Sequence, residues 1–95
     1  MMVNHLNLRN TLCELDSQGN LTLFRDGKSV RLLRAEVKQM LAWLSQKQKA
    51  PTFSLGETQF HIDDRQGVHV KTSAGELSIA AREGEQIQRW LQSHG

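Results

Sequence analysis

The residues of this sequence that could do chemistry fall into two groups, histidines and a set of cations around an aromatic ring. The four histidines are His5, His61, His69 and His94, and their spacing does not match that of a zinc site. His61 and His69 could face each other across a hairpin with Asp63 nearby, but the first half of the chain has no matching cluster. The sequence also has no nucleophile elbow, phosphate-binding loop or paired catalytic carboxylates. We therefore predict no metal site, no cofactor and no catalytic residue, and expect that the protein is not an enzyme.

The second group is built around Phe24. Alternation of apolar and polar residues places this ring on the polar side of a strand, where it should be exposed. Arginines and a lysine share that side or the adjoining turn, and the second half of the chain offers one lysine. Single-stranded nucleic acids bind to such surfaces, because bases stack on the ring at ~1–3 kcal/mol each while cations contact phosphates. The predicted nucleic-acid-binding residues are Arg9, Phe24, Arg25, Lys28, Arg31 and Lys71.

The same residues also fit a second class of function. In this interpretation Phe24 covers a contact with another protein, and the surrounding charges form a solvated surface. The net charge of +2 and pI of about 9.0 permit contact with nucleic acid without requiring it. Two hypotheses therefore stay open: a non-enzymatic protein that binds single-stranded nucleic acid, and a small protein-interaction module such as an adaptor or inhibitor.

These residues lie in a chain that contains two copies of a sequence repeat. Residues 30–44 return as residues 77–91, and the offset of 47 residues holds without a gap along the chain. A period of this length in 95 residues allows two copies, which would bury one shared core about a pseudo-two-fold axis. We therefore predict one domain over 1–95, with unit one at 5–48 and unit two at 52–95. Identical pairs at the offset are Leu8/Leu55, Thr11/Thr58, Asp16/Asp63, Glu36/Glu83, Gln39/Gln86, Trp43/Trp90 and Leu44/Leu91.

Each unit has the pattern of four short strands and a helix. Period-two alternation between turn clusters predicts the strands, and a period of 3.6 residues then predicts an amphipathic helix. In unit one the strands are expected at 5–9, 11–16, 21–24 and 30–32, with the helix at 34–44. In unit two they are expected at 52–55, 58–63, 68–72 and 76–79, with the helix at 81–92. The predicted fold class is α+β, a tandem ββββα repeat forming a pseudo-dimer of antiparallel sheets with two packed helices.

Several single residues carry structural predictions. Cys13 pairs with Phe60 across the repeat and should be a small buried hydrophobic residue rather than a reactive thiol. Trp43 and Trp90 should pack at the helix ends, in the core or between the helices. Gly84 replaces a valine inside the second helix at a cost of roughly 1 kcal/mol relative to alanine, which indicates close approach of another backbone.

The strand order and the basic turn before the helix carry a family resemblance. In unit one Gly27, Lys28 and Ser29 lead through Val30 and Leu32 into the helix, and the second unit repeats the strand as residues 77–79. This arrangement resembles the positive-cofactor-four (p15) transcriptional coactivator family, and two units in one chain look like the plant Whirly proteins. The resemblance implies curved antiparallel sheets that bind single-stranded DNA, helices that support a pseudo-dimer, and a role in transcription or replication. In place of the family's helical aromatic and second lysine, this chain has Val37, Gly84 and Gly75.

The sequence also bears on location. No apolar run approaches the ~20 residues that span a bilayer, and the first residues have neither a basic start nor an apolar core. We therefore expect a cytoplasmic protein without membrane contact. Exposed sheet edges leave assembly into homo-oligomers open.

Overall fold

A computed structural model of the chain describes residues 4–46, 50–73 and 75–94. Each unit has four strands followed by a helix, as the repeat predicts. Unit one contains β1 (Asn4–Asn7), β2 (Leu12–Leu15), β3 (Leu21–Arg25), β4 (Lys28–Leu32) and α1 (Arg34–Leu44). Unit two contains β5 (Thr52–Leu55), β6 (Thr58–Ile62), β7 (Val68–Thr72), β8 (Gly75–Ile79) and α2 (Ala81–His94). The predicted tandem ββββα fold is confirmed, while linker residues 47–49 and Ala74 of the last predicted turn lie outside the described residues.

The strands form two separate antiparallel sheets in which sequence neighbours pair. The orders are β1-β2-β3-β4 and β5-β6-β7-β8, so β1 and β5 are outer strands. β4 and β8 approach each other where the two units meet. The predicted Asp-Gly turn joins β3 to β4: Asp26 and Gly27 have φ angles of 52° and 76°. Positive φ at both central positions is the conformation whose twist matches a two-residue hairpin.

One strand ends earlier than the alternation predicts. The sequence extends the first strand to Arg9, but β1 ends at Asn7. The backbone N–H of Leu8 donates to the carbonyl of Thr11 at 2.8 Å and closes a turn. Arg9 therefore lies in an exposed turn between β1 and β2 rather than on a strand.

The inner sides of both sheets and the buried sides of both helices form one core. Alternate strand residues point into it, and α1 and α2 contact each other. Because one cluster contains residues of both units, neither unit has a separate core. The fully buried side chains of largest volume are Phe60, Leu21, Leu23, Leu32, Leu91, Val70 and Cys13.

Trp43 connects the first helix to the second sheet. Its ring stacks on Phe53 with centroids 5.5 Å apart and lies 5.7 Å from Phe60, and its Nε1 donates to the carbonyl of Ala50 at 2.7 Å. Trp90 is half-buried against the same core. The predicted core position is thus confirmed for Trp43, and α1 packs on the sheet of the other unit.

The glycine inside α2 has different surroundings from those expected. A Cβ built on Gly84 would contact Cγ2 of Val68 at 3.5 Å, an ordinary van der Waals distance to a side chain. The prediction that another backbone approaches this position closely is therefore wrong. A small apolar void of about 20 Å³ adjoins Gly84, because unit two lacks the valine methyls that Val37 supplies in unit one.

Candidate nucleic-acid interface

The side of the first sheet opposite the core carries Phe24 and Arg31 of the predicted site. We call this side the first open face. Strand register arranges its side chains in two cross-strand rows. The first row is His5, Glu14, Thr22 and Arg31, and the second is Asn7, Leu12, Phe24 and Ser29.

Phe24 is exposed on this face, as predicted, with 37% of its surface accessible. Leu12 lies directly across from it on β2, and Ser29 lies across on β4. A shallow groove of about 380 Å³ runs from the ring to the turn that contains Arg9. The structure therefore brings Phe24 and Arg9 to one groove, with a leucine as the ring's neighbour that the sequence reasoning did not single out.

Arg31 and Lys28 are the other cations near this face. The side chain of Arg31 is 61% exposed, and its Nη2 lies 3.8 Å from Oδ2 of Asp16. Strand register places Arg31 in the first cross-strand row, which is next to the row of Phe24. Arg31 and Arg9 therefore lie on opposite sides of the Phe24 row. Lys28 is exposed at the junction of the two units, where its Nζ donates to the carbonyl of Glu76 at 3.4 Å.

Arg25 lies on the other side of the strand from Phe24, because alternation along β3 directs it toward the core side. Only 17% of its side chain is exposed, and its Nη1 lies 2.9 Å from Oε1 of Glu83. The same Nη1 donates to Oγ1 of Thr11 at 3.0 Å, and Thr11 donates to Glu83 at 3.1 Å. The second oxygen of Glu83 accepts the backbone N–H of Asn10 at 3.2 Å. This buried polar cluster joins α2 of unit two to the sheet of unit one and already holds the Arg25 guanidinium.

The corresponding side of the second sheet, which we call the second open face, is polar. Within the described strands its two rows contain no phenylalanine, tyrosine or tryptophan, and the rings that they do contain are the imidazoles of His61 and His69. Lys71 lies between Gln59 and Glu76, at the position that Phe24 occupies in unit one. Predicted site residue Lys71 is therefore on a different sheet from Phe24 and Arg31.

His69 is the centre of a hydrogen-bonded chain on the second open face. Its Nε2 donates to Oδ2 of Asp63 at 2.8 Å, and its Nδ1 lies 2.9 Å from Oγ of Ser78. The bond from His69, with further bonds from the Gly67 and Arg65 backbone N–H groups, lowers the pKa of Asp63. These are the residue types of a hydrolase triad, but Ser78 lies within a strand rather than on a nucleophile elbow. We interpret these hydrogen bonds as structural, because they join β7 to β8 and to the turn that precedes β7.

The histidines do not form a metal centre in the part of the chain that the structure describes. His61 and His69 face each other as predicted, with ring centroids 5.8 Å apart. No group of three or more histidine, cysteine, aspartate or glutamate residues is positioned to hold a metal ion among the described residues. The His94 side chain lies outside them.

Cys13 is buried at the core, as predicted. Burial, together with the smaller effect of the neighbouring Glu83 carboxylate, raises the pKa of its thiol to about 12. A thiol that stays protonated and out of contact with water is a poor nucleophile. The cysteine therefore packs in the core beside the Glu83 cluster.

The cluster around Glu83 was missed by the sequence reasoning. Glu83 and Glu36 are identical partners in the repeat, so the pattern assigns them the same role. The one available signal was that Arg25 has Thr72 as its counterpart, which indicates an unequal environment.

Comparisons with protein-family models, with curated proteins and with solved structures find no match for this chain. The resemblance to the positive-cofactor-four family stays a prediction. No helix in residues 4–46, 50–73 and 75–94 is long and apolar enough to cross a membrane.

Proposed function

We propose that this protein binds single-stranded nucleic acid, without catalysing a reaction, on its first open face. The observation that carries the proposal is the exposed ring of Phe24, in a groove that leads to Arg9. An aromatic ring on a sheet gives a base a flat surface to stack on, whatever the base.

The positions of the cations around the ring support a path for the sugar-phosphate backbone of the nucleic acid. Along the strand direction Phe24 lies between the turn that holds Arg9 and the row that holds Arg31. A nucleic-acid strand that lies in this direction meets one arginine on each side of the stacked base. Lys28 extends the basic surface toward unit two. Lys71 adds a further cation for a longer strand. Arg25 takes no part, since Glu83 and Thr11 hold it.

Titration of a fluorescently labelled oligo-dT tests the proposal by anisotropy at about 50 and 200 mM salt, with a duplex of equal length as control. We expect preference for the single strand and affinity that falls with salt, because bound cations release counterions from the phosphates. No binding at low salt would contradict the proposal.

Matched variants test the site itself. Phe24→Ala should weaken binding about 5- to 150-fold, the equivalent of one lost base stack. Leu33→Ala is its control, since Leu33 is also a large exposed apolar residue, at 55%. Arg31→Gln should lower both the affinity and the salt slope, and Arg82→Gln, an exposed arginine on α2, controls for the lost charge. Unchanged binding by Phe24→Ala and Arg31→Gln would place the site elsewhere.

A protein-interaction module is the second candidate, and the Leu12–Phe24 pair favours it. Two apolar side chains opposite each other on an open sheet face form the start of an apolar contact patch. This function predicts a partner that is captured from host extract after nuclease treatment and lost with Phe24→Ala, together with no salt-sensitive binding of oligo-dT.

A further inference from the structure

A cavity on the other side of the first sheet from the proposed interface is large enough for a small molecule. Its volume is about 590 Å³, and it lies between the turn at residues 16–19, α1 and the end of α2. Pockets that hold small ligands measure about 300–1,000 Å³. None of its lining residues belongs to the first open face, so the cavity is a different site from the proposed nucleic-acid interface.

The wall of this cavity is mixed, with an apolar part beside polar residues of the turn and of the strand and helix ends. Leu15 of β2, Val37 and Leu41 of α1, and Leu91 of α2 contribute side chains to it. Because Leu91 belongs to unit two, the cavity exists only where the two units pack together. The leucine and valine side chains in the wall favour the hydrocarbon or aromatic part of a ligand.

The rim carries two cations. Arg34 and Lys38 are one helical turn apart on α1, and both side chains are exposed at the cavity. In the described part of the chain no carboxylate forms a salt bridge with either. The methylenes of Arg34 lie against Gly19, where a Cβ would come within 3.0 Å of the arginine Cγ. Gly19 thus leaves room for this side chain beside the cavity.

One carboxylate also lines the cavity, but its own turn holds it. Oδ1 of Asp16 accepts the backbone N–H groups of Gln18 and Asn20, both at 2.9 Å, and Oδ2 accepts the Asn20 side chain at 3.1 Å. Oδ2 is also 3.8 Å from Arg31. The charges left without a partner at the rim are therefore positive.

The equivalent place in unit two lacks these features. At the offset of 47 residues, Arg34 becomes Ala81, Lys38 becomes Glu85 and Leu41 becomes Gln88. The duplicated scaffold alone therefore does not require two cations and an apolar side chain here. Unit one has them where the cavity opens.

We propose that this cavity binds a small amphipathic anion, with an apolar body against the leucines and one anionic group at Arg34 and Lys38. A carboxylate and a phosphate both suit a pair of cations.

Titration of the isotope-labelled full chain with octanoate, followed by NMR, tests this proposal, with octylammonium as a probe of equal tail and opposite charge. We expect saturable shifts of the Val37, Leu41 and Leu91 methyl groups with octanoate, and weaker binding of octylammonium. Octyl phosphate in a third arm compares the two anionic groups, and tighter binding of either anion than of the cation supports the site. No saturable shifts, shifts confined to other residues, or equal binding of octylammonium would overturn it.

The Arg34→Gln/Lys38→Gln double variant tests the role of the rim. It should weaken octanoate binding roughly 2- to 30-fold, as expected for two exposed charge pairs. The control is Arg82→Gln/Arg89→Gln, which removes the same charge from exposed positions of α2 that do not line the cavity. Equal weakening by both double variants would show that net charge alone attracts the anion and would overturn the site. Binding of oligo-dT should not respond to octanoate.

Discussion

Glu36 and Glu83 have the same position in two copies of one sequence, yet they make different contacts. Each is the third residue of its helix. The Glu36 carboxylate accepts the backbone N–H of Leu33 at 2.9 Å and thereby caps its own helix. The Glu83 carboxylate instead reaches across to unit one, where it binds Arg25 and Thr11. The comparison shows that two copies of a repeat can hold one local and one long-range contact at equivalent positions.

The difference follows from the residues that each glutamate meets. The sheet of unit one offers Arg25 and the backbone N–H of Asn10 to Glu83. At the same positions unit two has Thr72 and Glu57, which offer Glu36 no cation and a like charge. A carboxylate leaves water only for partners that offset its desolvation. Glu83 has them and is 8% exposed, whereas Glu36 is half-buried at the helix start.

The largest expected effect is therefore the loss of Glu83. Glu83→Ala should lower the free energy of unfolding by about 3 kcal/mol, because the Arg25 guanidinium, which is mostly buried, then loses the Glu83 carboxylate. Glu36→Ala should cost about 1 kcal/mol, the value of one helix-capping hydrogen bond. Urea unfolding of both variants measures the difference. Equal losses would show that the contact across the units stabilises the fold no more than a local helix cap does.

A double replacement separates the ion pair from its packing. Replacing both partners, as Arg25→Met/Glu83→Leu, should recover most of the stability lost in Glu83→Ala, because an apolar pair does not leave a buried charge. A double variant no more stable than Glu83→Ala would indicate that the hydrogen bonds to Thr11 and Asn10 carry the stabilisation.

A smaller effect of opposite sign is expected one residue further along the helices. Val37 is buried in unit one, and its counterpart Gly84 adjoins a void in unit two. Gly84→Ala should raise the free energy of unfolding by about 1 kcal/mol, since alanine favours the helix and its Cβ contacts Val68 without a clash.

The control for this variant is Gly56→Ala. Gly56 has a φ of 58° and open space around it, so the alanine meets only backbone strain there and should destabilise by about 1 kcal/mol. Thermal unfolding of both variants decides the matter. A loss of stability in Gly84→Ala would indicate that α2 needs the missing side chain at this position.

Much of the fold could be predicted from the sequence, because alternation and the repeat are local signals. Every predicted strand and helix exists with ends within two residues, and the exposure of Phe24 follows from period two alone. The Glu83 cluster and the cavity beside α1 could not be predicted, because they depend on how the units pack. Arg25 and Glu83 are 58 residues apart, and Leu91 of α2 closes a cavity of unit one. A repeat predicts equal roles for equal positions and is silent about contacts between the copies.

The smallest expected effect concerns Asp16 and Asp63, a conserved pair within the repeat that holds equivalent turns. Backbone bonds from Asn20 and Gln18 lower the pKa of Asp16, and the pKa of Asp63 is lowered first by the bond from His69. A carboxyl whose pKa is lower in the folded state stabilises the fold above its unfolded pKa of about 4, and this contribution is lost as pH falls further. Both aspartates should therefore contribute to acid unfolding below about pH 4.

Titration of the two carboxyl carbons by NMR distinguishes the turns. His69→Gln should raise the pKa of Asp63 toward its ordinary value and leave that of Asp16 unchanged, because the position of His69 in unit one is Thr22, and Asp16 depends on its own backbone. The acid limb of thermal stability should become flatter in the same variant, since Asp63 then differs less between the folded and unfolded states. If the Asp63 titration did not move, its backbone bonds would be sufficient to hold the charge. Asp63 would then resemble Asp16 in depending on hydrogen bonds from the backbone of its turn.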